Sequence, residues 1–389
     1  MEGRVVVVGA GPAGLASAAE LGRRGITATV LERSDAIASS WRGRYDRLRL
    51  NSSRPFSKLP RGRWLRGTPM FPSRDEVVSY LEGYARRKRI QVRLGTRLDR
   101  IDRGADGWIL RTSTGDVIAD HVIVAAGYEH TGVVPDWPGR DRFEKRLIHS
   151  GEYRNPEPFR DADVLVVGPG CSGMEIAYDL AEGGAGRVRL AVRTPPNIII
   201  RSPIGPLFAN LFRRLPPERA DAFMRKVREK EIGDLTEFGL PVPEEGLFAR
   251  LRRLSVAPAI VDMEVIQAIR DRRIEIVAGV ESLDETGLTL ADGDRIEPDA
   301  VVAATGYRPG LEPLVGHLGL LNERGAPFSP QGQEAAPGLL FVGYKPLPAH
   351  IGHMGSDARR AAKEIAAAMA TAAPPRGVRL RGRAQPARS

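Results

Sequence analysis

The stretch Val5-Val6-Val7-Val8-Gly9-Ala10-Gly11-Pro12-Ala13-Gly14 decides the fold. Its apolar run reads as a buried strand, the glycines follow the spacing G-x-G-x-x-G, and helical periodicity resumes over residues 15–24. A second strand over residues 27–31 completes a βαβ unit. Each glycine has its own reason. Gly9 permits the tight turn, Gly11 lets a pyrophosphate approach the backbone, and Gly14 lets helix and strand pack closely, with Pro12 and Ala13 opening the helix. The diphosphate then sits at the positive end of that helix. Glu32 closes the second strand, 23 residues after Gly9, where its carboxylate can accept from both hydroxyls of a ribose. Arg33 stands beside it as a further contact.

The pattern occurs twice. A strand over residues 163–167 leads into Gly168-Pro169-Gly170-Cys171-Ser172-Gly173, a helix to Glu182 and a strand over residues 188–192. This second strand ends at Arg193 with no acid nearby. A carboxylate there would repel a 2′-phosphate, whereas Arg193 can pair with one, so the site prefers NADP to NAD, with Arg201 as a possible helper. Cys171 lies inside the phosphate loop and reads as a small packing residue.

Strand patterns over residues 91–94, 108–112 and 121–125 lie between the two units, and others over 274–277, 287–290, 300–304 and 338–342 follow the second. A final helix is expected over residues 357–369. The predicted class is α/β, with two Rossmann-like dinucleotide-binding domains, the second inserted into a discontinuous first. Residues 203–261 break the βα rhythm. Leu207, Phe208, Leu211, Phe212 and Leu215 recur at helical spacing, with Arg213, Arg214 and Arg219 on or beyond the other face. That suits either a packed helical lid or a membrane-surface helix; the prolines at 203, 206, 216 and 217 shorten the amphipathic run and favour the lid.

The 389 residues are 42% apolar, enough for two domains with cores of their own. The single cysteine excludes an intramolecular disulfide, a CxxC redox pair and a multi-cysteine zinc site, so redox chemistry needs a bound cofactor. No metal site is expected, since His350 and His353 lack further histidines or a carboxylate cluster. Glycines break the N-terminal apolar run before a span or signal peptide forms, from which a cytoplasmic location is expected, with no integral membrane segment. The net charge is +10, and residues 374–389 read as a disordered basic tail without implying nucleic-acid binding.

Between and beyond the fingerprints, the sequence resembles the flavin-containing monooxygenases, most closely the plant YUCCA-type enzymes and their bacterial relatives. The family's linker F-x-G-x-x-x-H-x-x-x-[FYW] is matched by Phe143, His149 and Tyr153, with Lys145 replacing its glycine. Ala303-Ala304-Thr305-Gly306-Tyr307 resembles the second linker, and Val124-Ala125-Ala126-Gly127-Tyr128 is its looser counterpart. Gly338-Leu339-Leu340-Phe341-Val342-Gly343 is similar to the strand near the flavin, and Gly355-Ser356-Asp357-Ala358 to the start of the last helix. The resemblance implies FAD at the first site and NADPH at the second, with contacts extending to Gly127, Thr305, Gly306 and Gly343. It divides the chain into a first FAD-binding part (1–158), an NADPH-binding domain (159–300) carrying the lid at about 203–261, and a second FAD-binding part (301–373).

The resemblance further implies that NADPH reduces FAD, that dioxygen adds to give a C4a-(hydro)peroxyflavin, and that a small organic substrate is oxygenated. An arylpyruvate-type 2-oxo acid undergoing oxidative decarboxylation fits, as do Baeyer–Villiger insertion and N-oxygenation. Asn51 lies where relatives place an asparagine beside the flavin, as a catalytic amide donor or an ordinary turn residue. Trp41 and Arg42 precede it in the flavin environment. His149 is a candidate acid–base group, although its place in the linker favours a hinge. A flavin reductase or oxidase without oxygen insertion, and a non-catalytic nucleotide sensor, are the competing classes.

Overall fold

The computed structural model describes residues 4–254, 257–344 and 351–372. Two parallel sheets carry the chain. The first has six strands in the order Gln331–Ala336, Leu339–Val342, His121–Val124, Val5–Val8, Ala28–Leu31 and Gln91–Arg93, with only the outermost pair antiparallel. The second has five parallel strands in the order Glu275–Ala278, Arg187–Val192, Asp163–Val167, Ala300–Ala303 and Arg146–His149. Strands covered on both faces read as continuous apolar runs, which is why Val5 to Val8 are all buried.

Both expected βαβ units are present. Helix Pro12–Gly22 follows the first strand, and helix Cys171–Glu182 follows Asp163–Val167. Alanines at 16, 19, 358, 361 and 362 are all buried in one core, where Pro12–Gly22 packs against the long final helix Ile351–Ala372. That helix begins before the expected residue 357. A further helix, Arg74–Lys88, has a capping box: the Ser73 hydroxyl accepts from the Glu76 amide at 3.3 Å, and Glu76 accepts from the Ser73 amide at 2.8 Å.

One strand that precedes the boundary expected at residue 158 belongs to the second sheet. Strand Arg146–His149 pairs with Ala300–Ala303, so the chain enters the second sheet before residue 146. The two crossings meet as a short antiparallel pair, Thr131–Gly132 with Tyr307–Arg308. The lid region forms helices Gly205–Phe212, Pro217–Glu231 and Leu247–Leu254, attached through the strand pair Ile198–Ile200 and Ala259–Val261. It has a small core of Ala220, Leu247 and Phe248, and the Asp221 carboxylate accepts from the amides of Phe248 and Ala249 at 2.6 and 3.1 Å. The basic tail lies outside the described residues. Among the described residues, no helix is long and apolar enough to cross a membrane.

A Cβ on Gly14 would lie 1.8 Å from the Gly9 carbonyl oxygen, a backbone atom that cannot swing away. Gly14→Ala is therefore expected to cost ~1–3 kcal/mol of stability and to weaken flavin retention. Thermal unfolding and the yellow absorbance of the purified protein measure both; an unchanged, fully yellow variant would contradict the packing.

Candidate active site between the two nucleotide loops

Both glycine loops have the same geometry. Gly9 and Gly168 have φ of +101° and +108°, the left-handed region that glycine tolerates, while Gly14 and Gly173 meet the carbonyls of Gly9 and Gly168. Gly11 and Gly170 differ from them, because an added Cβ would point into open space at either. Each caps its helix without a side-chain hydrogen bond. Each helix thus presents free amides beside a cleared approach, which suits a diphosphate.

Glu32 is buried at the first loop. Its carboxylate accepts from the Ala10 amide at 2.8 Å, the Ser34 amide at 3.0 Å and the Ser39 hydroxyl at 3.1 Å. These contacts fix the orientation of the carboxylate and leave acceptor capacity for a ribose. Arg33 is exposed nearby, 2.7 Å from His130 Nε2. Arg193 is exposed at the end of Arg187–Val192 and has no ion-pair partner among the described residues.

A cavity of about 1440 Å³ connects the first loop to the lid. It brings together Gly9, Gly11, Pro12, Ala13, Glu32, Arg33, Trp41, Asn51, Gly127, His149, Ser172 and Gly343. Phe208, Phe212, Phe223 and Phe248 line its lid side. Gly14, Gly168, Gly170, Gly173, Thr305 and Gly306 lie outside its wall, consistent with roles in turns and linkers. His350 lies outside the described residues, and His353 sits in the first turn of Ile351–Ala372.

Two expected residues do other work. Arg42 pairs with Glu82 and donates to the Ile37 carbonyl at 3.2 Å, so its guanidinium serves the neighbouring helix Arg74–Lys88 instead of the cavity. Arg44, two residues on, lines the wall, donating to the Tyr307 hydroxyl at 2.8 Å and to Glu129 at 2.5 Å. Arg201 is almost wholly buried. It pairs with Glu175, and with Asp262 at 2.5 Å, while its Nε is buried without a hydrogen-bond partner. One of its amines also donates to Asn51 Oδ1 at 3.1 Å. That contact orients the Asn51 amide: its oxygen is occupied, and its Nδ2 donor has no partner among the described residues.

Tyr45 extends this group by donating to Glu175 at 2.5 Å. Burial pushes the Glu175 carboxyl up, with Arg201 pulling the other way, and burial also raises the Tyr45 hydroxyl. Sequence spacing carried no sign of the Tyr45–Glu175–Arg201–Asn51 chain, because its members are joined only by tertiary packing. Cys171 accepts from the Ile260 amide at 3.2 Å, and burial pushes its thiol up to about 11. It is therefore a poor nucleophile despite its helix N-terminal position.

His149 accepts at Nδ1 from the Gly151 amide at 3.0 Å, so Nε2 is the donor to the Gly306 carbonyl, also at 3.0 Å. Its ring meets Tyr307 edge-on at 4.8 Å. Burial lowers the imidazole below its ordinary value, although the Gly306 carbonyl opposes the shift. With both nitrogens occupied, His149 has no free position for proton transfer in this arrangement. Thr305 works at the same junction, donating its hydroxyl to the Val133 carbonyl.

The comparisons with known proteins agree with this geometry. A family profile described as pyridine nucleotide-disulphide oxidoreductase matches residues 6–215. The indole-3-pyruvate monooxygenase YUCCA1 of Oryza sativa subsp. japonica is 35% identical over 374 residues, covering 92% of this chain and 90% of the relative. This chain belongs to the YUCCA-type flavin monooxygenases. The probable indole-3-pyruvate monooxygenase YUCCA10 of Arabidopsis thaliana is also 35% identical, over 80% of this chain and 83% of its own length. A solved flavin-containing monooxygenase from Stenotrophomonas maltophilia shares the fold, with TM-score 0.71, 23% identity, and coverage of 94% and 99%. The chain is thus an oxidoreductase that uses FAD and NADPH. Disulfide chemistry has no second thiol here.

Removing Arg201 would leave Glu175 buried without its counter-ion, an arrangement that typically costs about 3–5 kcal/mol. Arg201→Ala is expected to lower the thermal midpoint sharply. The double variant Arg201→Met with Glu175→Gln should recover much of that loss. Equal destabilisation of single and double variants would show that charge pairing is not what holds the site.

Proposed function

We propose that this flavin monooxygenase oxidatively decarboxylates an aryl-substituted 2-oxo acid. The observation that carries the reading is the single cavity joining the first nucleotide loop, the oriented Asn51 amide and a lid wall of four phenylalanines. The printed names of the relatives, indole-3-pyruvate monooxygenases, point to the same substrate class. Per turnover, dioxygen supplies one atom to the product acid and one to water, NADPH supplies a hydride, and the carboxyl carbon of the substrate leaves as carbon dioxide.

The first loop and Glu32 would hold FAD by its diphosphate and ribose; Gly170, Ser172 and Arg193 would hold NADPH, with Arg193 on the 2′-phosphate. Bound FAD supplies the oxygen-transfer chemistry. The chain supplies placement. Asn51 Nδ2 donates a hydrogen bond into the cavity, where anionic oxygen develops during turnover. Phe208, Phe212, Phe223 and Phe248 exclude water and receive the aryl ring. Arg213, half-buried in the lid wall and without an ion pair among the described residues, takes the substrate carboxylate. His149 ties the second linker to the first and acts as a hinge.

With phenylpyruvate as substrate, the parent enzyme is expected to form phenylacetate in near-stoichiometric ratio to NADPH consumed. Asn51→Ala should reduce product formation by roughly 10²-fold, the usual cost of losing one such donor, while NADPH consumption continues and yields peroxide. An unchanged product ratio in Asn51→Ala would remove its assigned role, and no acid from any aryl 2-oxo acid would remove the substrate class.

Arg193→Ala tests the nucleotide assignment separately. A charged hydrogen bond of about 1.5–3 kcal/mol corresponds to roughly 10- to 100-fold in KM for NADPH, with KM for NADH nearly unchanged. Equal effects on both nucleotides would place the 2′-phosphate elsewhere.

A further inference from the structure

Of the thirteen large apolar side chains exposed among the described residues, six fall within residues 204–223. Ile204, Leu207 and Leu211 are each more than half exposed, and Phe208, Phe223 and Leu215 follow at 44%, 47% and 36%. They form one surface. Leu207 and Leu211 are four residues apart on helix Gly205–Phe212 and share a face. The Phe212 ring lies 6.2 Å from Phe208 and 4.8 Å from Phe223 of the next helix, Pro217–Glu231, bringing the two helices into one patch.

Substrate binding does not account for the whole patch. Phe208 and Phe223 line the cavity, but Leu207, Leu211 and Leu215 do not. These three lie outside its wall. Contiguous exposed apolar surface of this kind marks a place where something else is bound.

The charges around it indicate what. Residues 204–231 contain seven basic and four acidic residues. One of the acids, Asp221, is buried and occupied with the amides of Phe248 and Ala249. Arg214, Arg219, Arg225 and Lys226 are exposed. An apolar face bordered by arginine and lysine matches an interfacial helix, whose apolar side enters the headgroup–acyl boundary while the cations meet lipid phosphates.

We propose that the helices Gly205–Phe212 and Pro217–Glu231 form a docking surface for an anionic lipid bilayer. A second copy of this chain fits less well, because a two-fold pairing of this surface would bring the two cationic borders together. Since Phe208 and Phe223 are both exposed and part of the cavity wall, docking places the rim of the cavity against the bilayer. The docking itself does not depend on which substrate is used.

The test is co-sedimentation of the full-chain holoenzyme with phosphatidylcholine vesicles, with and without phosphatidylglycerol. The parent is expected to bind the vesicles containing phosphatidylglycerol, less so as salt rises. Leu207→Glu with Leu211→Glu should bind roughly tenfold more weakly while consuming NADPH in free solution at the parent rate. Arg214→Glu with Arg219→Glu, which alters only exposed charges and serves if the leucine variant misfolds, should lose binding to the anionic vesicles by a similar factor. Both variants retain the arginines of residues 374–389, so undiminished binding by both would assign it to that segment and overturn the proposal. So would failure of the parent to sediment, or a parent dimer in solution that the leucine variant dissolves.

Discussion

The hydrogen bond from His149 Nε2 to the Gly306 carbonyl joins the two places where the chain passes between its sheets. Around it, Gly132 pairs with Tyr307, Thr131 pairs with Arg308, and Thr305 donates to Val133. Two nucleotide-binding units can cooperate only if the loop of one faces the ligand of the other. The clasp is the local structure that sets their spacing. It is built from one donor, one acceptor and a two-residue ladder, and His149 keeps it neutral: burial disfavours the charged imidazole, and each nitrogen already has its partner.

From that junction the rest of the site follows by packing. Arg44 reaches Tyr307 and Glu129, tying the loop after Trp41 to both linkers. Ser53 donates to the Pro203 carbonyl at 2.6 Å, which ties the Asn51 loop to the start of the lid. The buried Tyr45–Glu175–Arg201 group then fixes Asn51 from behind, leaving its amide donor toward the cavity. Such a charged group is costly to bury and seldom the cheapest way to stabilise a core. Its value here lies in orientation, since an asparagine held only by its loop could present either end of its amide.

The sequence made some of this legible and hid the rest for definable reasons. The glycine loops and Glu32 were readable because their chemistry is local: each residue acts within a strand–turn–helix unit of about thirty residues. The apolar strands were readable because burial on both faces leaves a run of valines. The ion pairs of Arg42 and Arg201 were not readable because position along the chain does not say which way a long side chain turns, and each met a carboxylate from a distant segment. Strand Arg146–His149 falls before the boundary expected at residue 158 yet pairs into the second sheet, because its partner strand begins 154 residues after Arg146, at Ala300. The capping-box spacing of Ser73 and Glu76 was visible and would have located the helix Arg74–Lys88.

The central claim is that this arrangement inserts an oxygen atom instead of merely oxidising NADPH. The most direct measurement is turnover of the holoenzyme with NADPH and phenylpyruvate under isotopically labelled dioxygen, with mass analysis of the product. One labelled oxygen in phenylacetate, formed in step with NADPH consumption, is the predicted result. Labelled hydrogen peroxide as the sole fate of dioxygen, with no labelled acid, would contradict it.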